Sequence, residues 1–336
     1  MTLATEQRSS PIQQRLLLLQ HLDQTADFTD TPDSAEPGIP VPVGLAGAAL
    51  AGDSSVLVVG QRRAAGKPRH LSEILPKDRQ AAILGEDLLR AAVDAGTDPV
   101  LYHAWRDILP PRWKHAEGND ALAERDTTGR ETAFWYADLV VYRHGILPDR
   151  QPFRSTGHFN AAEQLEVFQT LTGRVAMLIA GTSPNGVPYL SFEICEPGAI
   201  TVVPPGAWHV TYCLDGPAAV FNIYTDRKPT TPAHHSSRQG ALDPALKYHR
   251  AAGHKATIRV DDDGGIRLDA EEGPLPTPKF TTAAWLDAVV PTGTDLVSLY
   301  LHPSAMDTLL EAAEAALATG WPQVPADGHT QTSDGM

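Results

Sequence analysis

The feature that most constrains the fold is a succession of short apolar stretches between Phe134 and Tyr224. These stretches are rich in β-branched and aromatic residues, and Gly- and Pro-containing segments separate them. Short strands that recur at regular intervals with such turns are typical of an antiparallel sandwich or barrel. We therefore predict a mainly β barrel with strands near residues 134–142, 165–170, 175–180, 190–195, 200–203, 210–213 and 218–224.

The two ends of the chain differ from this central region in amino-acid composition and in apolar pattern. Near the start, Pro11 opens a Leu-rich helical pattern, and Asp, Thr, Pro and Gly then dominate as far as Pro42. Near the end, a strand-like run over 296–301 precedes a predicted helix capped by Ser304. We predict three parts: an N-terminal helix and linker over 1–42, a barrel domain over 43–280, and a C-terminal helical extension with a disordered end over 281–336.

The first part of the barrel domain carries its own secondary-structure signals. Short apolar runs with Gly over 43–60 predict strands, and 83–95, closed by Gly96, predicts an amphipathic helix. A late strand is predicted over 255–268.

Net charge and cysteine content exclude several classes of function. The formal net charge of −14 argues against nucleic acid or an anionic membrane as partner, because both require a basic face. The two cysteines, Cys195 and Cys213, are too few for a disulfide framework, and no apolar run reaches the length of a membrane span. The first ten residues lack the basic head and apolar core of a signal peptide, so we expect a cytoplasmic protein.

Four side chains have the spacing of a metal site. His158 and Asn160 are two residues apart, so they share one face of a strand, and Glu166 follows on the next strand. Pro204, Pro205 and Gly206 predict a turn that leads into a strand carrying His209. Two imidazoles, a carboxylate and an amide suit Fe(II), Mn(II), Ni(II) or Zn(II) better than a thiolate-seeking metal.

We therefore predict a divalent cation held by His158, Asn160, Glu166 and His209. An amide oxygen is a weak ligand, so an alternative is that Asn160 only forms hydrogen bonds. Glu163 and Gln164 are competing ligands whose spacing fits less well.

The same residues resemble the two motifs of the cupin superfamily. The first motif there is His-x-His followed by Glu and Gly, matched here by His158 to Gly173, and the second is Gly-x5-Pro-x-Gly-x2-His, matched by Gly198 to His209. The chain departs from the pattern at Asn160, where a second His is expected, and at Cys213, where Asn often ends the second motif. The resemblance implies a cupin (double-stranded β-helix, jelly-roll) barrel, here with helical N- and C-terminal extensions.

Within the cupins, the chain is most similar to the archaeal-type cupin phosphoglucose isomerases. Their motifs are matched by 155–158, 166–168, 204–209 and 223–224, and the similarity covers roughly residues 40 to 280. This implies a metal-dependent isomerase that interconverts glucose 6-phosphate and fructose 6-phosphate, with iron(II) first among the metals named above. It also implies a homodimer paired through sheet edges.

The resemblance also assigns roles to individual residues. It implies Glu166, His158 and Tyr224 as catalytic residues and Ser155, Gly157 and Tyr102 as substrate-binding residues. Thr156 replaces a family Lys and Phe168 a family Tyr, so we expect Arg154, or else Arg143, to restore positive charge.

Some choices stay open at this point. Glu166 can act as ligand, as base or as both, and a hydride shift between substrate carbons requires no base. Aromatic side chains are expected to wall the site from water: Phe159, Phe168, Trp208 and Tyr212. The alternative function is a different cupin metalloenzyme, such as an iron oxygenase, lyase or epimerase of a specialised pathway, and a third is a non-catalytic binder of a small ligand.

Overall fold

The computed structural model describes residues 41–45, 47–60, 62–75, 85–113, 134–160, 164–184, 186, 188–226, 256–270, 284–290, 293 and 295–322. The predicted N-terminal helix and nearly all of its linker lie outside these residues. Glu163 and the predicted disordered end also lie outside them.

A small antiparallel sheet opens the described chain. Its four strands, in spatial order, are β1 (Val41–Pro42), β2 (Ala48–Ala51), β3 (Val56–Val59) and β4 (Arg62–Ala65). These strands confirm the β-structure predicted over 43–60.

A large antiparallel sheet holds most of the remaining strands. They are β5 (Lys67–His70), β6 (Val100–Trp113), β7 (Phe134–Tyr142), β8 (His158–Phe159), β9 (Glu166–Thr182), β10 (Pro188–Cys195), β11 (Ile200–Val203) and β12 (Trp208–Asp226). The spatial order is β10-β9-β12-β7-β6-β5, with β11 paired to β9 and β8 paired to β12. A separate hairpin consists of β13 (Ala256–Val260) and β14 (Ile266–Ala270), so the single late strand predicted over 255–268 is two strands joined by a turn.

The two longest strands bend so that one sheet folds back on itself. The start of β9 pairs with the end of β12, where Glu166 lies opposite Tyr224, and the end of β9 pairs with the start of β12, where Ile179 lies opposite His209. At the bend, Gly173 has φ +69°, and a Cβ there would lie 2.6 Å from the Asp215 carbonyl oxygen. Only glycine fits such a close approach, so the predicted strands on either side merge into one bent strand.

Three groups of buried apolar residues show which face of the sheet lies inside. An inner cluster between the two halves of the folded sheet includes Tyr102, Tyr142, Phe168 and Met177. A helix-side cluster on one outer face joins the small sheet to the C-terminal helices. A hairpin-side cluster on the other outer face joins β13 and β14 to the barrel. The predicted mainly β barrel is therefore confirmed.

Five helices complete the described chain: α1 (Leu71–Ile74), α2 (Glu86–Asp94), α3 (Ala284–Val289), α4 (Leu296–Tyr300) and α5 (Pro303–Ala318). The prediction of strand-like structure over 296–301 is wrong, because the Asp295 side chain accepts a hydrogen bond from Val297 N and caps a helix there. Helix α5 is capped at His302 and not at the predicted Ser304, so it begins at Pro303, two residues earlier than predicted. Within the described ranges, no helix is long and apolar enough to cross a membrane.

Candidate metal centre

Three of the predicted metal ligands converge on the inner face of the barrel. One donor atom from each of His158, Glu166 and His209 lies within 4.8 Å of the others. His158 Nε2 is 3.9 Å from Glu166 Oε2, and His209 Nε2 is 3.6 Å from the same oxygen. The two imidazole ring centres are 4.3 Å apart. These three residues are called the metal triad below.

Strand pairing explains this convergence. His158 in β8 lies directly opposite His209 in β12, and Glu166 begins β9, which flanks β12 on its other side. The predicted turn before His209 is confirmed, since Ala207 N donates to Pro204 O at 3.1 Å and Gly206 has φ +71°.

Gly157 allows β8 to approach β12 closely. Its φ is +74°, and a Cβ there would lie 2.8 Å from the Trp208 ring and 3.3 Å from the His209 carbonyl oxygen. A side chain at this position would push β8 away from the strand that carries His209.

The metal triad has the donors and the spacing that a divalent cation requires. Glu166 and His209 are only 2% and 3% exposed, and a buried carboxylate is costly unless a positive charge compensates it. The nitrogen-to-oxygen distances exceed those of hydrogen bonds, whereas ligands about 2.1 Å from a shared cation lie roughly 3–4 Å apart. Three protein ligands also leave coordination positions for a substrate.

Asn160 lies beside the metal triad on the same strand face. Its backbone N donates to Ala207 O at 2.9 Å, which extends the pairing of β8 with β12 and places Asn160 on the side of His158. The side chain is 4% exposed, and among the described residues neither amide atom has a hydrogen-bond partner. A buried amide without partners is destabilising, and coordination to a cation would satisfy its oxygen. Asn160 as a ligand stays a prediction.

Asn222 orients Glu166, a role that the sequence analysis missed. Asn222 Nδ2 donates to Glu166 Oε1 at 2.8 Å, while Glu166 Oε2 faces the two imidazoles. Asn222 is two residues before Tyr224 in β12, so the period of two that placed Tyr224 inside the barrel would also have placed Asn222 there.

Two of the predicted aromatic residues lie near the metal triad. Tyr224 is buried directly across from Glu166 and stacks on Tyr136 with ring centres 5.4 Å apart. The Phe168 ring is 5.4 Å from the His209 ring.

The other three predicted wall residues, Phe159, Trp208 and Tyr212, belong to the hairpin-side cluster, so their prediction is wrong. The physical reason is strand alternation. Each is an odd number of residues from His158 or His209 along its own strand and faces the opposite side.

The predicted substrate-binding residues Ser155 and Tyr102 have partners inside the barrel. Ser155 Oγ accepts a hydrogen bond from Thr211 N at 3.0 Å, and the Tyr102 and Tyr142 ring centres are 5.4 Å apart. Burial raises the pKa of the Tyr142 phenol, and the Thr211 and Ser155 hydroxyls hydrogen-bond to it and oppose that rise.

The two arginines expected to bind phosphate are engaged elsewhere. Arg154 is 5% exposed and donates to Ser155 O at 3.1 Å and Thr156 O at 3.4 Å. Its charge also opposes the rise that burial causes in the pKa of Asp149. Arg143 Nη1 lies 3.3 Å from Asp53 Oδ2. None of these partners is a member of the metal triad.

No family model and no curated protein sequence matches this chain. Among solved structures, KdgF from Halomonas sp. matches with 12% identity and a TM-score of 0.23, covering 38% of this chain and 81% of KdgF. The Cnp3 cupin domain of Schizosaccharomyces pombe matches with 10% identity and a TM-score of 0.23, covering 42% and 73%. A recombinant oxalate oxidase in complex with glycolate matches with 11% identity and a TM-score of 0.25, covering 45% and 73%. Scores of this size do not assign the chain to any activity.

Proposed function

We propose that the protein is a metal-dependent enzyme of the cupin type. Its cation is held by His158, Glu166 and His209, with Asn160 as a fourth ligand. The observation that carries this proposal is the convergence of three donor atoms within 4.8 Å of one another on the inner face of the barrel, two of them on almost completely buried side chains.

The specific reaction we propose is aldose–ketose isomerisation of a sugar phosphate of the glucose 6-phosphate type. A bound cation would act as a Lewis acid that polarises the carbonyl oxygen of the substrate. Glu166 serves in this proposal both as ligand and as base. Asn222 holds Oε1, and Oε2, the oxygen that faces the cation site, would accept and return the proton. Tyr224 lies across from Glu166, and Phe168 packs beside His209 as part of the apolar wall that excludes water.

A second candidate is another cupin metalloenzyme, such as an iron oxygenase, lyase or epimerase. The observation that favours it is the engagement of Ser155 and Arg154 with other groups of the barrel, since the resemblance implies that these residues hold the phosphate.

Elemental analysis of purified protein tests the metal site. We expect about one divalent cation per chain, lost in His209→Ala and in Glu166→Ala, and kept in the control His103→Gln, which replaces a buried histidine outside the metal triad. Full occupancy in both triad variants would overturn the site.

The variant Asn160→His tests the fourth ligand. If Asn160 is a ligand, this variant should bind the cation more tightly in an equilibrium titration, because imidazole is the stronger donor.

An assay with glucose 6-phosphate and fructose 6-phosphate on the metal-loaded protein tests the reaction. Interconversion that depends on Glu166 supports the isomerase. A loaded protein that leaves both sugars unchanged contradicts the isomerase and favours the second candidate.

A further inference from the structure

A bulge in β6 presents Arg106 to the inner face of the barrel. The pairing of β6 with β7 is regular from Tyr102 to Trp105 and shifts register between Trp105 and Leu109. Within this irregular stretch, Asp107 has φ +51°, a left-handed conformation that residues other than glycine rarely adopt. Bulges and backbone strain of this kind occur preferentially beside functional sites, where they redirect a side chain.

Asp138 in β7 holds this bulge and its arginine in place. Its Oδ1 accepts a hydrogen bond from Asp107 N at 2.9 Å, and its Oδ2 accepts one from Arg106 Nη1. The Asp138 side chain is fully buried, whereas the Arg106 side chain is 41% exposed. Asp138 thus fixes the guanidinium while leaving part of it accessible.

Most of the hydrogen-bond donors of Arg106 remain available. A guanidinium carries five N–H donors, and within the described ranges Asp138 is the one acceptor bonded to Arg106. The charge of Asp138, together with Tyr224 and Tyr102, raises the pKa of Arg106, so its positive charge is permanent. The neighbouring tyrosines belong to the inner face of the barrel.

A continuous row of side chains connects Arg106 to the metal triad. Arg106 contacts Asp138, Asp138 lies opposite Asn222 in the pairing of β7 with β12, and Asn222 donates to Glu166. These residues occupy four adjacent strands. Since neighbouring strands are about 4.8 Å apart, β6 and β9 are three strand spacings, or about 14 Å, apart. The Arg106 guanidinium reaches Asp138 in β7, which leaves roughly two spacings, or about 10 Å, between it and β9. A small substrate can span this gap.

We infer that Arg106 binds the anionic end of the substrate whose other end lies at the metal triad. The substrate class is therefore a small molecule with oxygen donors at one end and a phosphate or carboxylate at the other. Arg106 would bind either anion with paired N–H donors, as arginine does in bidentate recognition. This inference rests on the proposed function and supplies the positive charge that Arg154 and Arg143 do not provide there.

Calorimetric titration with matched ligand pairs tests the inference. The first pair is fructose 6-phosphate and fructose, and the second is malate and its 4-monomethyl ester, so each pair differs by one anionic group. For the cobalt(II)-loaded protein we expect the member of one pair that carries the additional anionic group to bind more tightly than the member that lacks it. Which pair shows the preference distinguishes phosphate from carboxylate.

Variants of Arg106 test whether this residue causes the preference for the anionic ligand. Arg106→Gln should reduce affinity for the preferred anion by roughly 10- to 100-fold, the size of one or two hydrogen bonds to a charged group. It should leave the affinity for the pair member that lacks this anionic group unchanged. The double variant Arg106→Gln with Asp138→Asn should do the same without leaving a buried charge uncompensated. The control Arg174→Gln replaces an arginine of similar exposure, paired with Asp215 at 3.0 Å, and should keep the preference.

Two results would overturn the inference: a preference that survives in both Arg106 variants, or the absence of any preference in the unaltered protein. The same titrations on metal-free protein separate this inference from the proposed function. If the protein holds no cation, the proposed function fails, while an Arg106-dependent preference in the metal-free titration still supports the anion site.

Discussion

At the scale of single residues, one hydrogen bond decides how Glu166 faces the metal triad. The bond from Asn222 Nδ2 is 2.8 Å long and buried, so a nonpolar residue there would leave Glu166 Oε1 without this donor. We expect Asn222→Leu to weaken cation binding by about 10- to 100-fold, as loss of a residue that orients a ligand typically does. A competitive titration with a metal chelator measures the affinity.

The control for this prediction is Thr170→Val, which removes a buried hydroxyl from β9 at nearly constant volume. It should leave cation affinity unchanged. If both variants weaken cation binding equally, Asn222 acts through general packing and does not position Glu166.

Glu193 gives a prediction about pH. Burial raises the pKa of its carboxyl above the ordinary value of 4.5, against the opposing effect of hydrogen bonds from Thr201 and Ser191. Because the folded state binds this proton more tightly than the unfolded state, the contribution to stability is present below pH 4.5 and is lost as the pH rises through the folded pKa. Glu193→Gln should therefore raise the melting temperature at pH 8 relative to the parent protein, and raise it less at pH 4.5. A rise at pH 4.5 as large as that at pH 8 would contradict this assignment.

The sequence predicted the metal triad but not the residues that support it. His158, Glu166 and His209 stand at spacings that carry information by themselves, because strand alternation and a Pro-Pro-Gly turn fix their faces. Asn222 and Arg106 acquire their roles from the register of four strands that are distant in sequence. One sequence alone does not specify that register.

At the scale of elements, β8 depends on one glycine for its contact with β12. We expect Gly157→Ala to weaken cation binding and to lower stability, because the new methyl group would lie 2.8 Å from the Trp208 ring in a backbone conformation with φ +74°. The control Gly186→Ala has a similar φ of +77° but nothing within 4 Å of the added Cβ. Cation titration and thermal melting of both variants separate crowding from backbone strain. If Gly186→Ala lowers cation affinity as much, the crowding argument fails.

Secondary-structure elements were predictable where the apolar pattern was long and regular. They were assigned wrongly where the apolar run was short. The strand pattern from 134 to 224 was correct in position, although Gly173 joins two predicted strands into β9. The apolar run over 296–301 fits a strand and a helix equally well by pattern. The hydrogen bond by which Asp295 caps α4 favours the helix.

At the scale of the whole molecule, the barrel is covered on both outer faces. The C-terminal helices pack on one face, where Tyr300 Oη donates to Trp135 O at 3.0 Å and Leu296 N donates to Gln169 Oε1 at 2.8 Å. The hairpin packs on the other face, where Thr257 Oγ1 donates to Gln151 Oε1 at 2.8 Å. The described C-terminal helices therefore pack on the barrel, and the homodimer stays a prediction.

The C-terminal helices should therefore contribute to stability without contributing ligands. Leu309 in α5 is fully buried in the helix-side cluster, whereas Leu317 on the same helix is 37% exposed. Leu309→Ala should lower the free energy of unfolding by about 2–5 kcal/mol, and Leu317→Ala by less than about 1 kcal/mol. Urea unfolding measures both, and elemental analysis of the folded variants should show unchanged cation content because the metal triad lies on the inner face. A Leu309→Ala protein that keeps its stability but loses turnover would show instead that α5 acts on the active site and is not simply part of the core.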